Sequence, residues 1–594
     1  MKELLTLIPY LRRYGASVAG GVVLVILANL FSLAPPYLIK RAIDALSAPL
    51  VARGEVMVFA SLIVLTALLG GAARYGMREL LNGTSRRVEY DLGNDLFQHI
   101  VHLDAAYFGR TPTGDLMSRM TNDLSAVRMA AGPAYMYLAN TFVGTAISLS
   151  FMIWISPRLT LLCMIPMLAL PPVTLGFGRV IHRRFDRIQD QLSRLSTLAQ
   201  ENLAGMRIVK AYVRERDQTE RFARMSDEYL DRNMSLARVS GLFHPLLTLL
   251  SGLAIVLAFL IGGRMAMTGE ISIGDFVAFS LYLGALTWPM IALGWVVNLF
   301  QRGAASMGRI NRVLSEKPSI RSPEAPVILP EVRGEIEFRN VSFRYPGTER
   351  EVLHDISFTA PAGSLLAIVG ATGSGKSTLI HLLSRLYDPT EGEILLDGVP
   401  LPRLSLEQLR ASIGVVPQEA FLFSDTIRRN LAMGIEGDPE VVEARIRRAA
   451  EIAQLDETIL GFPAGYDTML GERGVNLSGG QKQRATLARA IARDPRVLVL
   501  DDALSAVDTH TEAEILDGLR EIFRDRTSVV VSHRVSAVMA ADQILVLEDG
   551  RLVETGTHAE LLQAGGTYAT LLHRQLLADE LELGSALAPV DSQV

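Results

Sequence analysis

The sequence predicts two domains of different fold class: an all-α domain of membrane-spanning helices, followed by an α/β domain. The chain has 594 residues, which is too many for one compact core. Its mean hydropathy of +0.27, with 49% hydrophobic residues, is high for a soluble protein. The long apolar runs lie in the first half of the chain, whereas from Gly334 onward short β-branched strands alternate with helices. That alternation is typical of α/β folds.

Six apolar segments are the predicted membrane spans. Each is close to the about 20 residues that cross a bilayer as a helix, and a helix satisfies its backbone polar groups internally, as lipid requires. So many apolar runs are hard to enclose in a soluble core, which makes buried soluble helices the weaker interpretation. The segments are 18–39, 56–73, 135–155, 159–178, 243–262 and 276–300.

The distribution of arginine predicts which loops are cytoplasmic. The long links 80–132 and 179–242 must share one side of the membrane, and their arginines mark it as the cytoplasmic side. Basic residues on the other side weaken this bias without reversing it. We therefore expect a multi-pass protein of the inner (plasma) membrane, with both termini and the second domain in the cytoplasm. The arginines of this side are Arg12, Arg13, Arg86, Arg87, Arg110, Arg179, Arg183, Arg184 and Arg187.

The amphipathic start of the chain, residues 1–16, is expected to form a short helix at the membrane surface rather than a removable signal peptide. The net charge of −5 and the scattered arginines argue against a nucleic-acid partner. The single cysteine, Cys163, lies in an apolar run, so we interpret it as a small buried hydrophobic residue.

Few polar groups lie within the spans, and no carboxylate lies mid-span, which argues against a proton or cation relay. The polar groups either face a translocation pathway or hydrogen-bond between helices, and both interpretations stay open. We expect Pro289 to kink the sixth segment. Trp288 and Trp295 are candidates for lining a cavity, whereas Trp154 resembles an interface anchor. The polar groups are Asn29, Arg74, Asn140, His244 and Asn298.

A proline-rich stretch without apolar periodicity separates the two halves and is predicted to be a linker. We therefore divide the chain into a transmembrane domain 1–314, a linker 315–332, an α/β domain 333–576 and a tail 577–594, which we expect to be disordered.

The α/β domain contains a phosphate-binding loop. The strand 365–369 runs into a G-x-x-x-x-G-K-[ST] motif that opens a helix, so backbone N–H groups and the helix dipole face a phosphate. Lys376 reaches the outer phosphates and Ser377 binds Mg²⁺. An apolar strand that ends at Asp501 supplies a second group on the Mg²⁺ side. The nucleotide-binding residues of this loop are Gly370, Thr372, Gly373, Ser374, Gly375, Lys376, Ser377 and Thr378.

A second set of motifs surrounds this loop in a fixed order. Leu477-Ser478-Gly479-Gly480-Gln481 precedes the Asp501 strand, and around it lie Tyr345 in SFRYPG, Gln418 in VVPQE, GERG at 471–474, SAVD at 505–508 and His533 in VVVSHR. With these motifs, nearly the whole chain resembles the ATP-binding cassette (ABC) family, and specifically its exporters. The resemblance implies that the α/β domain is a P-loop cassette with an antiparallel β subdomain and a helical subdomain.

The resemblance also implies roles for single residues, with ATP and Mg²⁺ as cofactors. Tyr345 stacks on adenine, Gln418 reaches Mg²⁺ or the attacking water, and His533 donates to the γ-phosphate. In isolation these residues would be read as a strand aromatic, a loop amide and a turn histidine. The signature residues of one cassette complete the ATP site of a second cassette, so the chain must dimerise. Those residues are Ser478, Gly479, Gly480 and Gln481.

The segments 110–115 and 212–217 resemble the coupling helices of the family, which rest on the cassettes. The second of them is expected to rest on the cassette of the partner.

The sequence departs from the family at Asp502, where ABC ATPases usually have the Glu that orients or deprotonates the attacking water. Losing one methylene moves the carboxylate back by about 1.5 Å, and a displacement of about 1 Å can cost 10²-fold in rate. Asp502 should therefore support binding better than hydrolysis. The pattern resembles the weakened subunit of heterodimeric exporters, whose distinct partner carries Glu. A homodimer with slow or adapted Asp chemistry is the alternative.

The predicted function is ATP-driven export of an amphipathic substrate, such as a drug, lipid or peptide, across the membrane by alternating access, with the lipid bilayer and the substrate as partners. The catalytic residues are predicted to be Asp502, His533 and Gln418, and the metal-binding residues Ser377, Gln418 and Asp501. A homodimeric lipid flippase or multidrug exporter would share every motif. A soluble ABC protein would lack the six spans, and an ABC-gated channel is a further alternative.

Overall fold

The computed structural model describes residues 2–46, 53–471, 474, 476–532, 538–574 and 576. The chain divides into two compact units. The first unit comprises Met1–His102 and Thr113–Glu316, and the second comprises Leu103–Pro112 and Lys317–Val594. A ten-residue piece of the first half of the chain therefore belongs to the second unit.

The first unit contains six helical stretches that are long and apolar enough to cross a membrane, which confirms the predicted number of spans. They are Gly15–Leu46, Gly54–Val101, Thr113–Ile155, Pro157–Ala204, Glu215–Met267 and Ile273–Ser315. The stretches are longer than a bilayer requires, because the predicted spans continue without interruption into the charged links. One helix of 49 residues, for example, is about 74 Å long.

The helices of the first half of the chain follow one another closely. They are α1 (Ile8–Arg13), α2 (Gly15–Ser32), α3 (Pro35–Leu46), α4 (Arg53–Val101), α5 (Ala105–Arg110), α6 (Thr113–Ser118), α7 (Leu124–Met129), α8 (Tyr135–Ile155), α9 (Pro157–Leu168), α10 (Leu170–Ala204), α11 (Met206–Ala211), α12 (Glu215–Leu257), α13 (Gly263–Met267) and α14 (Ile273–Ser315). Short π-helical turns, Arg119–Asp123, Ala130–Ala134 and Ala258–Gly262, join several of them.

The N-terminal stretch packs partly against the protein, so a helix held only by the membrane surface is an incomplete description. Leu4 and Leu7 are buried, whereas Leu5 is 61% exposed. Tyr10 Oη donates to Asp95 Oδ2 of α4 at 2.7 Å. Some apolar residues of this stretch therefore pack against the protein, whereas others are exposed on its surface.

Three of the predicted polar groups within the spans hydrogen-bond between helices. Asn29 Nδ2 donates to Asn140 Oδ1 at 2.9 Å, which joins α2 to α8. Arg74 Nη2 donates to Ser32 Oγ at 2.6 Å, which joins α4 to α2. Interhelical bonding therefore accounts for these residues.

The helix of the first span breaks at a proline, whereas α14 continues through Pro289. The kink at Pro289 stays a prediction, because a helix can bend without being interrupted. In the first span the helix ends at Ser32 and a new helix begins at Pro35, since proline is compatible with a helix start but lacks an N–H for a helix interior. Trp295 packs against Tyr137, with ring centroids 4.8 Å apart.

The second unit is built on two sheets, as the predicted α/β cassette with an antiparallel part requires. The strands are β1 (Ile336–Arg344), β2 (Glu351–Ala360), β3 (Leu365–Gly370), β4 (Glu391–Leu396), β5 (Val399–Pro400), β6 (Ile413–Val416), β7 (Val497–Asp501), β8 (Thr527–Val531), β9 (Gln543–Glu548) and β10 (Arg551–Gly556). A 4-stranded antiparallel sheet has the order β2-β1-β4-β5, and a 6-stranded sheet has the order β10-β9-β3-β8-β7-β6.

Helices cover the larger sheet and form the helical part of this unit. They are α15 (Lys376–Leu383), α16 (Leu406–Ser412), α17 (Ile427–Leu431), α18 (Pro439–Ile452), α19 (Asp456–Leu460), α20 (Gly479–Ala492), α21 (Thr509–Arg524) and α22 (His558–Ala564).

The order of the parallel strands places the site. Strands β3, β8 and β7 are neighbours and run parallel. Their carboxyl ends therefore meet at one edge of the sheet, which is where α/β folds bind ligands. Gly370, Val531 and Asp501 are the last residues of these three strands.

The piece Leu103–Pro112 is tied to the linker within the second unit. Asp104 caps α5 by accepting the Tyr107 N–H at 3.1 Å, and its other oxygen accepts from the Ser319 N–H at 2.7 Å and from Ser319 Oγ at 2.6 Å. Burial raises the pKa of Asp104, but these hydrogen bonds outweigh burial and hold the pKa below its usual value. The helix that ends at Arg110, where the predicted coupling segment 110–115 begins, is thus anchored at its N-terminal end.

Candidate functional site

The loop after β3 is shaped to surround a phosphate. Gly375 has φ of 104° and caps the start of α15. A Cβ there would lie 2.7 Å from Leu353 Cδ2, and at Gly370, with φ of 156°, it would overlap the Leu547 carbonyl oxygen. Glycine at these two positions lets the backbone close in and aim its N–H groups at the centre of the loop.

Lys376 is a buried cation beside this loop. Its side chain is 7% exposed, and Nζ donates to the carbonyl oxygens of Gly370 at 2.9 Å and Ala371 at 2.8 Å. Burial lowers the pKa of Lys376, while the nearby carboxylates of Asp501 and Asp502 oppose that shift. A positive charge is thus held where a polyphosphate would lie.

A cleft of about 280 Å³ opens between the loop and the ends of β7 and β8. The structure therefore brings together most of the predicted phosphate-loop residues with Gln418 and both carboxylates of the β7 end. The lining residues are Val352, Thr372, Gly373, Gly375, Lys376, Ser377, Thr378, Gln418, Asp501, Asp502 and Val531.

The cleft fits a nucleotide phosphate and Mg²⁺. The buried Ser374 Oγ has no hydrogen-bond partner, so a polar ligand could satisfy it. Ser377 hydrogen-bonds the Asp501 carboxylate, which pairs the hydroxyl and the carboxylate predicted for the metal. Among the described residues no group of three or more His, Cys, Asp or Glu side chains is placed so that it could hold a metal ion by itself. Few protein ligands, with phosphate and water, are the usual set for Mg²⁺.

The two aspartates at the end of β7 have different environments. Asp501 is 6% exposed, and burial raises its pKa above the ordinary value. Asp502 lies at φ of 48°, and its N–H donates to the Val531 carbonyl at 2.9 Å. Its backbone is therefore fixed in the left-handed region, so the length of its side chain decides where its carboxylate lies.

Tyr345 does not line the cleft, but it contacts the phosphate-loop helix. Its Oη lies 3.1 Å from Thr378 Oγ1 and 3.3 Å from His381 Nδ1. Its ring packs edge-on against Phe343, with centroids 4.8 Å apart, and against Tyr387, at 5.2 Å. These contacts hold the ring next to the predicted phosphate site.

The signature residues form the start of α20, away from the lining of the cleft. Ser478 caps the helix by accepting the Gln481 N–H at 3.2 Å, and Gln481 Oε1 accepts the Ser478 N–H at 2.9 Å. Ser478 and Gly479 are exposed. The reciprocal cap fixes these residues without using them in this chain's own cleft.

Three predicted positions, His533, Glu472 and Arg473, lie outside the described residues. Sequence reasoning missed Val352 and Val531, which line the cleft through their places at the sheet edge. It also missed Gln483, which is buried next to the 505–508 turn. No local signal singles out these residues, because two are ordinary strand valines and the third lies in a polar run.

The fold and this cleft define an ATPase that is coupled to a membrane domain. Residues 18–290 match the family model of the ABC transporter transmembrane region, and residues 353–505 match that of the ABC transporter. The chain belongs to the ABC transporter family, as an exporter half-transporter with one membrane domain and one cassette. The match to the transmembrane region overturns the alternative of a soluble ABC protein.

Individual relatives agree with this assignment over nearly the whole chain. The chain is 36% identical over 574 residues to the multidrug resistance-like ATP-binding protein MdlA of Escherichia coli (strain K12), with 96% of each chain covered. It is 34% identical over 575 residues to the ATP-dependent lipid A-core flippase of Syntrophus aciditrophicus (strain SB), with 96% of this chain and 94% of the relative covered. A solved bacterial Atm1-family ABC exporter with ATP bound matches with a TM-score of 0.78 and 30% identity, over 94% of this chain and 99% of that one.

Proposed function

We propose that this chain is one half of a dimeric exporter that uses ATP to move amphipathic molecules across the membrane. The observation that carries the proposal is a nucleotide cleft and an exposed signature on the same chain as six membrane-spanning helices. The cargo class is supported by relatives that are named as a multidrug resistance-like protein and a lipid A-core flippase. The apolar spans without a mid-span carboxylate agree with such a cargo.

In this proposal each residue of the cleft has one task toward ATP. The loop N–H groups and Lys376 bind the phosphates, and Ser377 and Asp501 hold Mg²⁺, with Gln418 beside them. Mg²⁺, when bound, neutralises charge on the β- and γ-phosphates. Asp502 faces the position of the attacking water, and Tyr345 supports the adenine. His533 remains the predicted donor to the γ-phosphate.

Lys376→Met is expected to weaken ATP binding by about 30-fold or more, because hydrogen bonds to a charged group contribute about 1.5–3 kcal/mol each and several phosphate oxygens lose their cation. Titration of the full chain with a fluorescent ATP analogue measures this. Lys482→Met is the matched control, since Lys482 is a half-buried lysine of the same unit that does not line the cleft. Equal affinity in both variants would contradict the assignment of Lys376.

The signature supports a dimer with two shared sites. Ser478 and Gly479 are exposed and do not line this chain's cleft, so a role in ATP turnover needs a second cassette. In the membrane half, the turn after α11 carries Tyr212 at 75% exposure and Val213 at 80% exposure. We propose that this turn is the second coupling segment and rests on the partner's cassette.

The proposed partner is a distinct half-transporter that carries Glu at the position of Asp502. This rests on the shorter carboxylate of Asp502, whose backbone N–H is anchored to the Val531 carbonyl. The full signature of this chain would then serve the partner's hydrolytic site. The alternative, a homodimeric lipid flippase or multidrug exporter with Asp chemistry, is favoured by the flippase relative.

Purifying the chain alone tests which dimer forms. A heterodimeric exporter predicts that the chain alone hydrolyses ATP at least about 10-fold more slowly than after a partner with Glu is added. Robust turnover by a homodimer, abolished in Asp502→Ala, would instead establish the homodimer. Reconstitution with labelled lipid against labelled drug then separates a flippase from a drug exporter, and an ATP-dependent current would reveal a channel.

From the arginine distribution we also propose that both termini and the cassette lie in the cytoplasm. We further propose that the transmembrane domain is 1–314, the linker 315–332 and the cassette 333–576.

A further inference from the structure

One buried side chain, Gln483, joins the start of α20 to the turn 505–508. Gln483 is 6% exposed. Its Nε2 donates to Ser505 Oγ at 2.9 Å, and its Oε1 accepts the Ala506 backbone N–H at 2.8 Å. Both polar atoms of the Gln483 side-chain amide thus bond the 505–508 turn, and this fixes the orientation of the Gln483 side chain.

The backbones of the two segments also touch at the signature. A Cβ on Gly480 would lie 2.7 Å from the Ala506 carbonyl oxygen, and one on Gly479 would lie 3.8 Å from Ala506 Cβ. The first turn of α20 therefore contacts the 505–508 turn on one side through glycine and on the other through Gln483. These two contacts fix both the distance and the relative rotation between the first turn of α20 and the 505–508 turn.

The same turn is connected to this chain's own ATP cleft. Only Ala503 and Leu504 separate it from Asp502, and they are 4% and 9% exposed. The Ser505 N–H donates to the Asp502 carbonyl at 3.3 Å, and the Val507 N–H donates to the Leu504 carbonyl at 3.1 Å. This series of tight turns leaves little freedom between Asp502 and the residues that Gln483 holds.

We propose that Gln483 is a positioning residue that makes the signature of this chain follow the Asp502 end of its own cleft. The inference rests on the proposed function, in which the signature completes the partner's site. A shift at one cleft is then passed through the 505–508 turn and Gln483 to the ATP bound at the other. Gln483 itself touches no nucleotide in this scheme.

Hydrogen exchange on the full chain in detergent tests the link without requiring a partner. Gln483→Met removes both hydrogen bonds at similar side-chain volume, and we expect the Ala506 amide to exchange about 10-fold faster than in the wild type. Thr486→Val is the matched control, because Thr486 is also buried in α20 but bonds only the Lys482 carbonyl of its own helix. Unchanged exchange at Ala506 in Gln483→Met would overturn the proposal.

ATP turnover by the assembled exporter tests the consequence. Gln483→Met is expected to lower kcat about 10-fold while this chain's affinity for a fluorescent ATP analogue stays within about two-fold, since the phosphate loop is not touched. General destabilisation of the cassette would reduce both. In the double variant Gln483→Met and Ser505→Ala, the fold-loss in kcat should be smaller than the product of the two single losses, because both changes break the same link.

Failure of the proposed exporter function and failure of the Gln483 role give different results. The proposed function is contradicted if the wild-type chain neither dimerises nor turns over ATP, both alone and with a Glu-bearing partner, and hydrogen exchange at Ala506 alone then decides the link. Normal kcat in a Gln483→Met exporter, or single effects that multiply fully, overturns the positioning role and leaves the proposed function intact.

Discussion

Replacing Asp502 with Glu is expected to raise ATP turnover by the chain alone about 100-fold, because it restores the methylene that brings the carboxylate to the attacking water. Two copies of this chain would supply each other with an intact signature, so the short carboxylate is the one departure that Asp502→Glu corrects. The backbone of Asp502 is anchored to Val531, and the added length therefore projects into the cleft. Steady-state ATPase assays in proteoliposomes measure the change, with dimer formation checked by light scattering.

Two further variants make this experiment decisive. Asp502→Asn should reduce any residual turnover, since it keeps the size of the side chain and removes the base. Asp501→Glu should not raise turnover, because Asp501 is 6% exposed and is assigned to the metal, so its longer side chain would not act on the attacking water. A glutamate at Asp502 costs about 1 kcal/mol of stability, since φ of 48° favours Asp over longer side chains. If turnover stays at the wild-type level in a stable Asp502→Glu dimer, the carboxylate length does not limit hydrolysis.

Gly480→Ala is expected to lower ATP turnover by the assembled exporter about 100-fold while ATP binding in this chain's own cleft is retained. The new Cβ would lie 2.7 Å from the Ala506 carbonyl oxygen. That atom belongs to the backbone of a packed turn, so the start of α20 must shift by several tenths of an ångström. A shift in the signature misplaces groups at the partner's phosphate, where about 1 Å is enough to cost 10²-fold.

Gly518→Ala is the matched control for this change. Gly518 lies in α21 of the same unit, and a Cβ there would have its nearest neighbour, Ile452 Cγ2, at 3.4 Å. It should leave turnover within about two-fold and the thermal unfolding temperature unchanged or slightly raised, because Ala is the better helix former. Equal activities of the Gly480→Ala and Gly518→Ala exporters would show that the signature has no steric constraint from the turn.

The membrane half shows which features of the helices can be predicted from the length and periodicity of apolar segments. All six spans were predicted, because about 20 consecutive apolar residues have few alternatives to a membrane helix. The helix-patterned charged links also predict long cytoplasmic extensions of the spans, but the pattern does not give the residue at which each extension ends. The sequence also did not show that the helix of the first span breaks before Pro35 while α14 continues through Pro289.

The amino-acid sequence alone determined the class of the protein, because the phosphate loop and the signature are contiguous motifs whose chemistry depends on local backbone conformation. The segment from the signature, 477–481, to Asp501 and Asp502 has two ends with different surroundings. Only the tertiary structure decided which end belongs to this chain's own cleft. Strand order brings the two aspartates to Lys376 and Ser377 in one cleft, whereas Ser478 and Gly479 are exposed at the start of α20. The link through Gln483 was hidden for the same reason: its partners are 22 and 23 residues away along the chain, and a contact over that distance exists only once the sheet and helices have packed.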